Sequence, residues 1–156
     1  MAKTILVAED FEDDAVLLQQ SLRDAGVSNP ILTVSDGDEV LAYFKGEGHF
    51  SDRNKFPLPS VLLLDLKMPR VSGYEVLQWL QMHPELKPLI VIVTGIEETK
   101  EIQEAYLMGA HSFITKPCNP EDIHNLRKAF GHYWESLSPG QGNRHQAQMP
   151  LASQAA

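Results

Sequence analysis

The chain has little cysteine, few basic residues and no long apolar run, and each scarcity excludes a class of protein. Cys118 is its single cysteine, so no internal disulfide can form. With 156 residues the chain is long enough to bury a core as one domain without such a staple. Lys and Arg number 13 against 21 Asp and Glu, a formal net charge of −8 that repels nucleic acid over most of the surface. No apolar stretch approaches the ~20 residues of a membrane span. Met1-Ala2-Lys3-Thr4 runs straight into Ile5-Leu6-Val7 with nothing resembling a leader. These readings predict a cytoplasmic chain that works with neither membrane nor nucleic acid. There is no internal repeat.

What the chain does have is a series of short apolar runs. Ile5-Leu6-Val7, Val61-Leu62-Leu63-Leu64, Leu89-Ile90-Val91-Ile92-Val93 and Phe113-Ile114 are the clearest, with Ile31-Leu32-Thr33-Val34 weaker. Continuous rather than alternating apolarity suits strands covered on both faces. Helical spacing lies between them. Ala15, Leu18, Leu22 and Ala25 mark one helix, stopped by Gly26, and Val40, Leu41 and Phe44 another behind Asp36 as cap. Ser72-Gly73-Tyr74-Glu75 reads as a capping box before Val76, Leu77 and Leu80. Ile102, Ala105 and Tyr106 precede Gly109, and Asn119-Pro120-Glu121-Asp122 opens a last helix with Ile123, Leu126 and Phe130, expected to continue through Tyr133, Trp134 and Leu137. Strand and helix alternate five times. That order predicts an α/β fold, a five-stranded doubly wound parallel sheet with helices on both faces. Residues 1–137 form the domain; 138–156, rich in Gly, Gln, Pro, Ala and Ser, are expected to be a disordered tail.

In open parallel sheets, ligands bind outside the carboxyl ends of the strands. Glu9 and Asp10 follow the first strand, Asp65 the third, Thr94 ends the fourth, and Lys116 and Pro117 follow the fifth. Three carboxylates, a hydroxyl and an ammonium thus meet at one end of one sheet. Carboxylates so crowded either protonate or take a counter-charge, and a hard divalent cation such as Mg²⁺ supplies one. A carboxylate beside such a cation and a lysine can act as nucleophile toward a phosphoryl group, with Lys116 and Thr94 stabilising its oxygens. Blander roles are open to each residue alone. Glu12, Asp13 and Asp14 read as a solvated, acid-favouring first helical turn. Phe113 alternates with Thr115 and suits a core position as well as a switch. Histidines 49, 83, 111, 124, 132 and 145 share no metal-ligand spacing, and Cys118 reads as a packing residue.

Ala8-Glu9-Asp10, Leu64-Asp65-Leu66-Lys67-Met68-Pro69, Val93-Thr94-Gly95 and Thr115-Lys116-Pro117, in that order and each at a strand end, resemble the response-regulator receiver family over about residues 3–135. The resemblance implies the flavodoxin-like (βα)5 receiver fold and a stand-alone regulator in a two-component phosphorelay. It implies Asp65 as phosphoacceptor, and Mg²⁺ held by Asp10, Asp65 and the Lys67 backbone carbonyl, with Glu9 acting through water. Lys116 would contact the phosphoryl group, Thr94 would close on it, Phe113 would be the aromatic switch residue, and Pro117 would follow a cis peptide bond. The implied partners are a histidine kinase, by the long 45–59 connection and extended last helix of phytochrome type, and a downstream protein or phosphotransfer partner.

Rival functions fit less well. An aspartate-nucleophile phosphatase needs a second Asp two residues after the first, where this chain has Lys67, so the reading is of a signalling module and not an enzyme. A pseudo-receiver would have lost Asp65, Lys116 or the acidic pair. The 138–156 stretch is too short for a DNA-binding domain. Two further expectations arise. Tyr133, Trp134 and Leu137 suggest either an apolar patch for a homodimer or a segment folded back on the domain's own core. Lys67, a donor with no acceptor, and apolar Ile96 predict slow loss of the phosphoryl group.

Overall fold

A computed structural model describes residues 3–95 and 99–134; the expectations for Ile96, Leu137 and the 138–156 tail lie outside the described residues. The elements alternate as expected: β1 (Ile5–Ala8), α1 (Glu12–Asp24), β2 (Ile31–Val34), α2 (Gly37–Lys45), β3 (Val61–Leu64), α3 (Gly73–Gln81), β4 (Leu89–Thr94), α4 (Thr99–Leu107), β5 (Ser112–Thr115) and α5 (Pro120–Ala129). All four strand pairings are parallel, in the order β2-β1-β3-β4-β5. β1, β3 and β4 are buried along their whole length, which is why their sequences do not alternate. Successive side chains of a strand point to opposite faces. Leu6, Leu62, Leu64 and Ile90 pack with Val40, Phe44, Val76, Leu77 and Ala105 on one face, while Ile5, Val7, Leu63 and Val91 pack with Leu18, Leu22, Ile123 and Leu126 on the other.

The caps read from sequence form. Asp36 accepts from the Glu39 N–H at 2.8 Å and Ser72 from the Glu75 N–H at 3.3 Å. Asn119 and Asp122 make the reciprocal pair, each side chain accepting from the other's N–H at 3.1 Å. The long 45–59 connection is ordered by Arg53. Its guanidinium donates to the carbonyls of Tyr43 and Phe44 at 2.8 and 2.7 Å, in the last turn of α2, where the Gly46 N–H also reaches Tyr43 O at 3.2 Å.

The last helix departs from expectation. α5 stops at Ala129, Phe130 leaves helical geometry at φ −131°, and a 3-10 turn spans Gly131–Tyr133. Gly131, a poor helix former, sits at the break. Carbonyls of this segment are each taken by a side chain from the start of a strand: His132 by Lys3, Tyr133 by Ser60 at 2.8 Å, and Trp134 by Asn29 at 2.6 Å. Trp134 is 2% exposed and packs in the core beside α1 and α5, with Tyr133 and Phe130 against it. The aromatic end therefore closes the domain's own core, and the Trp134 ring is not part of an exposed apolar patch. Trp134→Ala should cost about 3–5 kcal/mol of unfolding free energy, the usual toll for emptying a buried aromatic site. Urea unfolding measures it, and a loss under about 1 kcal/mol would mean that Trp134 is not a core residue.

Candidate functional site

Sheet register sets the site. Ala8 of β1 lies opposite Leu64 of β3, so the residues that follow, Glu9 and Asp65, leave the sheet side by side. Their backbones stay tied to it: the Asp65 N–H donates to Ala8 O and the Glu9 N–H to Val34 O, both at 3.0 Å. Thr94 pairs with Thr115 across β4 and β5, and the Lys116 N–H donates to Thr94 O at 2.8 Å. The Lys116–Pro117 peptide is cis. Carboxylate oxygens of Glu9, Asp10 and Asp65 all lie within 4.8 Å of one another. Glu9, Asp65 and Thr94 are buried and Asp10 is exposed, so the cluster has a closed floor and an open mouth.

Lys116 is the hub. Its Nζ lies 2.8 and 2.9 Å from the two oxygens of Glu9, 3.1 Å from Asp14 Oδ2 and 3.3 Å from Asp65 Oδ2. The other oxygen of Asp65 accepts the Lys67 N–H at 3.0 Å. Burial pushes the Glu9 carboxyl up to about 7; the Lys116 hydrogen bond opposes this and the Asp65 carboxylate adds to it. Burial alone would lower the Lys116 pKa, but its bonds to Glu9 and Asp14 and the charge of Asp65 outweigh it, and the net direction is upward. One ammonium thus faces an excess of carboxylates, a donor set of oxygens and negative charge that fits a divalent cation.

The loop between β3 and α3 is pinned close to Asp65. A Cβ added to Gly73 would stand 2.6 Å from the Asp65 carbonyl oxygen, so only glycine lets α3 begin there. Arg70 takes the left-handed conformation at φ 65°, a cost for a side chain-bearing residue. Its guanidinium sits 3.6 Å from Asp36 Oδ2, on the carboxylate whose other oxygen caps α2.

The structure therefore brings together Glu9, Asp10, Asp65, Thr94 and Lys116. Lys67 reaches the site through its backbone, and its side chain is exposed. Phe113 is not a core residue. It is 40% exposed on β5, and its ring meets Tyr106 edge-on at 6.3 Å. β5 is an edge strand, with Ile114 turned into the core and Phe113 away from it. Asp14 is the residue the sequence reading missed. It lies one turn before buried Leu18 on the same side of α1, and that spacing was the available signal. Burial pushes the Cys118 thiol up to about 12, with Asp122 adding to it and Ser21 opposing, so it stays protonated as a packing residue should. Among the described residues, no histidine joins a metal-ligating group.

The family model of the response regulator receiver domain matches residues 5–128. The chain belongs to that family. Its members are signalling modules of two-component systems, phosphorylated on an aspartate and binding a divalent metal at an acidic pocket. The chain is 28% identical to response regulator Rcp1 of Synechocystis over 134 residues, 85% of this chain and 88% of that protein. Among solved structures it resembles response regulator RPA3017 in red light signalling of R. palustris, at 33% identity and TM-score 0.73, covering 87% of this chain and 96% of the other. It also resembles the bacteriophytochrome response regulator RtBRR, at 31% identity and TM-score 0.77, covering 99% and 96%. Rcp1 itself has been solved in a Mn²⁺-bound form, which matches this chain at 26% identity and TM-score 0.69 over 87% and 97% of the two chains. No helix among the described residues is long and apolar enough to cross a membrane.

Proposed function

We propose that this receiver takes a phosphoryl group from the phosphohistidine of a histidine kinase onto Asp65 and signals through the protein contacts that follow. The observation that carries the reading is the setting of Asp65: a buried carboxylate at the end of the central strand, with one oxygen on Lys116 and the other on the Lys67 N–H. An Asp65 oxygen attacks phosphorus, the P–N bond breaks, and its electron pair returns to the imidazole of the kinase. Lys116 and Thr94 then face the oxygens of the transferred group and stabilise their charge. Asp10, Asp65 and the Lys67 carbonyl would hold Mg²⁺, with Glu9 acting through water; the cation supplies charge neutralisation at the phosphoryl oxygens. The similarity to regulators named for bacteriophytochromes and red light supports a phytochrome-type kinase. A kinase that draws on ATP places the chain in the cytoplasm. Phe113, Tyr106 and Leu107, all exposed around α4 and β5, offer an apolar surface to a downstream protein. The chain turns over no external substrate and acts only on its own phosphoryl group. Acetyl phosphate with Mg²⁺ should add one acid-labile phosphoryl group per chain, counted by intact-mass spectrometry. A chain that stays unlabelled with both acetyl phosphate and a set of phosphorylated kinases would overturn the proposal.

The phosphoryl lifetime should be long, and Lys67 is the reason. Its backbone N–H fixes Asp65, and its exposed side chain is free to reach over the site. Hydrolysis needs a water in line with the leaving carboxylate. An ammonium can pair with the phosphoryl oxygens but accepts no proton from that water. Lys67→Asn should speed loss of the label by about tenfold, the worth of one good hydrogen bond to the attacking water. Decay no faster than in the unaltered protein at equal Mg²⁺ would assign the lifetime elsewhere.

A further inference from the structure

We infer that Asp14 restrains the phosphoryl transfer through Lys116: it holds the ammonium on the solvent side of the site and must give it up when Asp65 is phosphorylated. This rests on the proposed role of Asp65 and Lys116. A lysine ammonium has three N–H donors. In this structure they serve both oxygens of Glu9, one oxygen of Asp14 and, at the longest distance of the set, 3.3 Å, Asp65. Every donor is committed before a phosphoryl group arrives.

Transfer changes that balance. With acetyl phosphate as donor, an Asp65 oxygen forms the new bond to phosphorus and the bond from phosphorus to the acetyl oxygen breaks. Acetate leaves with the electron pair, and the phosphoryl dianion replaces one carboxylate charge beside Lys116. The ammonium turns toward it, and one of its older partners loses a bond. The Glu9 side chain is 3% exposed; the cation reaches it only through water, so losing Lys116 would take away its one direct charged partner at a place where bulk water cannot replace it. The Asp14 side chain is 34% exposed and water can replace the lysine there. Asp14 is therefore the partner released. Until then it competes for Lys116 and sets a negative charge beside the entering phosphoryl group; both effects slow transfer.

The position of Asp14 suits this use. It stands in the first turn of α1, on the side of Leu18, and it shares with Leu17, Val93, Pro117 and Cys118 a cleft of about 250 Å³ that opens beside Lys116. Asp13, its neighbour in the chain, is exposed and makes no contact with Lys116. The two carboxylates differ in contact and not in charge, which gives the inference an internal control.

The test uses the full chain at saturating Mg²⁺, with acetyl phosphate as donor. Asp14→Asn should label about fivefold faster than the unaltered protein, the scale of a partly exposed ion pair. Asp14→Glu should restore the slow rate, and Asp13→Asn should leave it unchanged. In the metal-free protein, the NMR signal of the Lys116 ammonium should shift in Asp14→Asn and hold still in Asp13→Asn, a readout that requires no phosphorylation. An equal gain in Asp13→Asn would reduce the effect to overall charge and overturn the inference. So would an Asp14→Asn rate at or below that of the unaltered protein, or an unmoved Lys116 signal. Absence of label on the unaltered chain is a separate result: it would remove the role of Asp65, and the Lys116 signal would still decide whether Asp14 holds the ammonium.

Discussion

Asp65→Asn should take no phosphoryl group from acetyl phosphate or from a kinase, while the protein stays folded. An amide oxygen carries no full charge and is too weak a nucleophile to form the acyl phosphate. Asn matches Asp in size, and its carbonyl can keep the bond from the Lys67 N–H. Lys116 retains Glu9 and Asp14, so the change leaves no cation buried alone. Intact-mass spectrometry after equal exposure should show the added phosphate on the unaltered chain and none on the variant. Label on Asp65→Asn at the unaltered level would place the acceptor on another carboxylate, and peptide mapping would name it.

Asp10→Ala should weaken Mg²⁺ binding on the order of 100-fold, because a site with few protein oxygens loses much of its charge with one of them. Asp10 is exposed and supports no packing, so stability should move by less than about 0.5 kcal/mol. Titration calorimetry measures the first and urea unfolding the second. Glu9→Ala should act differently, since the Glu9 oxygens sit at 2.8 and 2.9 Å from Lys116. Its loss frees the ammonium as much as it thins the cation site, and the fall in Mg²⁺ affinity should be the smaller one. Affinity that survives in Asp10→Ala would exclude it as a ligand.

The sheet was legible because burial on both faces leaves a run of branched apolar residues with no alternation, and the carboxyl end of such a sheet tells where a site must lie. From that alone Glu9, Asp10, Asp65, Thr94 and Lys116 gather at one end of the sheet. Local rules also located Asp36, Ser72 and Asn119 as caps, since each acts on a backbone group only three residues away. What escaped depends on contacts distant in sequence. Trp134 reads as part of an amphipathic helix running on to Leu137, but Asn29 and Ser60 draw that segment back over the core, and neither partner is visible from its neighbours. Phe113 was ambiguous because an edge strand has the composition of a central one and only the neighbouring helix decides its exposure. Asp14 shared a first turn with Glu12 and Asp13, and acidic residues at a helix start have a sufficient reason in the helix dipole. Its second reason lies 102 positions away, at Lys116.

The grip of Lys3, Ser60 and Asn29 on the carbonyls of His132, Tyr133 and Trp134 has a practical meaning. Those three side chains precede β1, β3 and β2, so they mark the rim of the sheet opposite Asp65. Strands of four residues separate the rims by about 13 Å. Residue 134 is thus a fixed point on the far side of the domain. A protein tethered to a sensor chip or a bead through a linker joined there would stand with its acidic mouth facing outward, where incoming partners in solution meet it first.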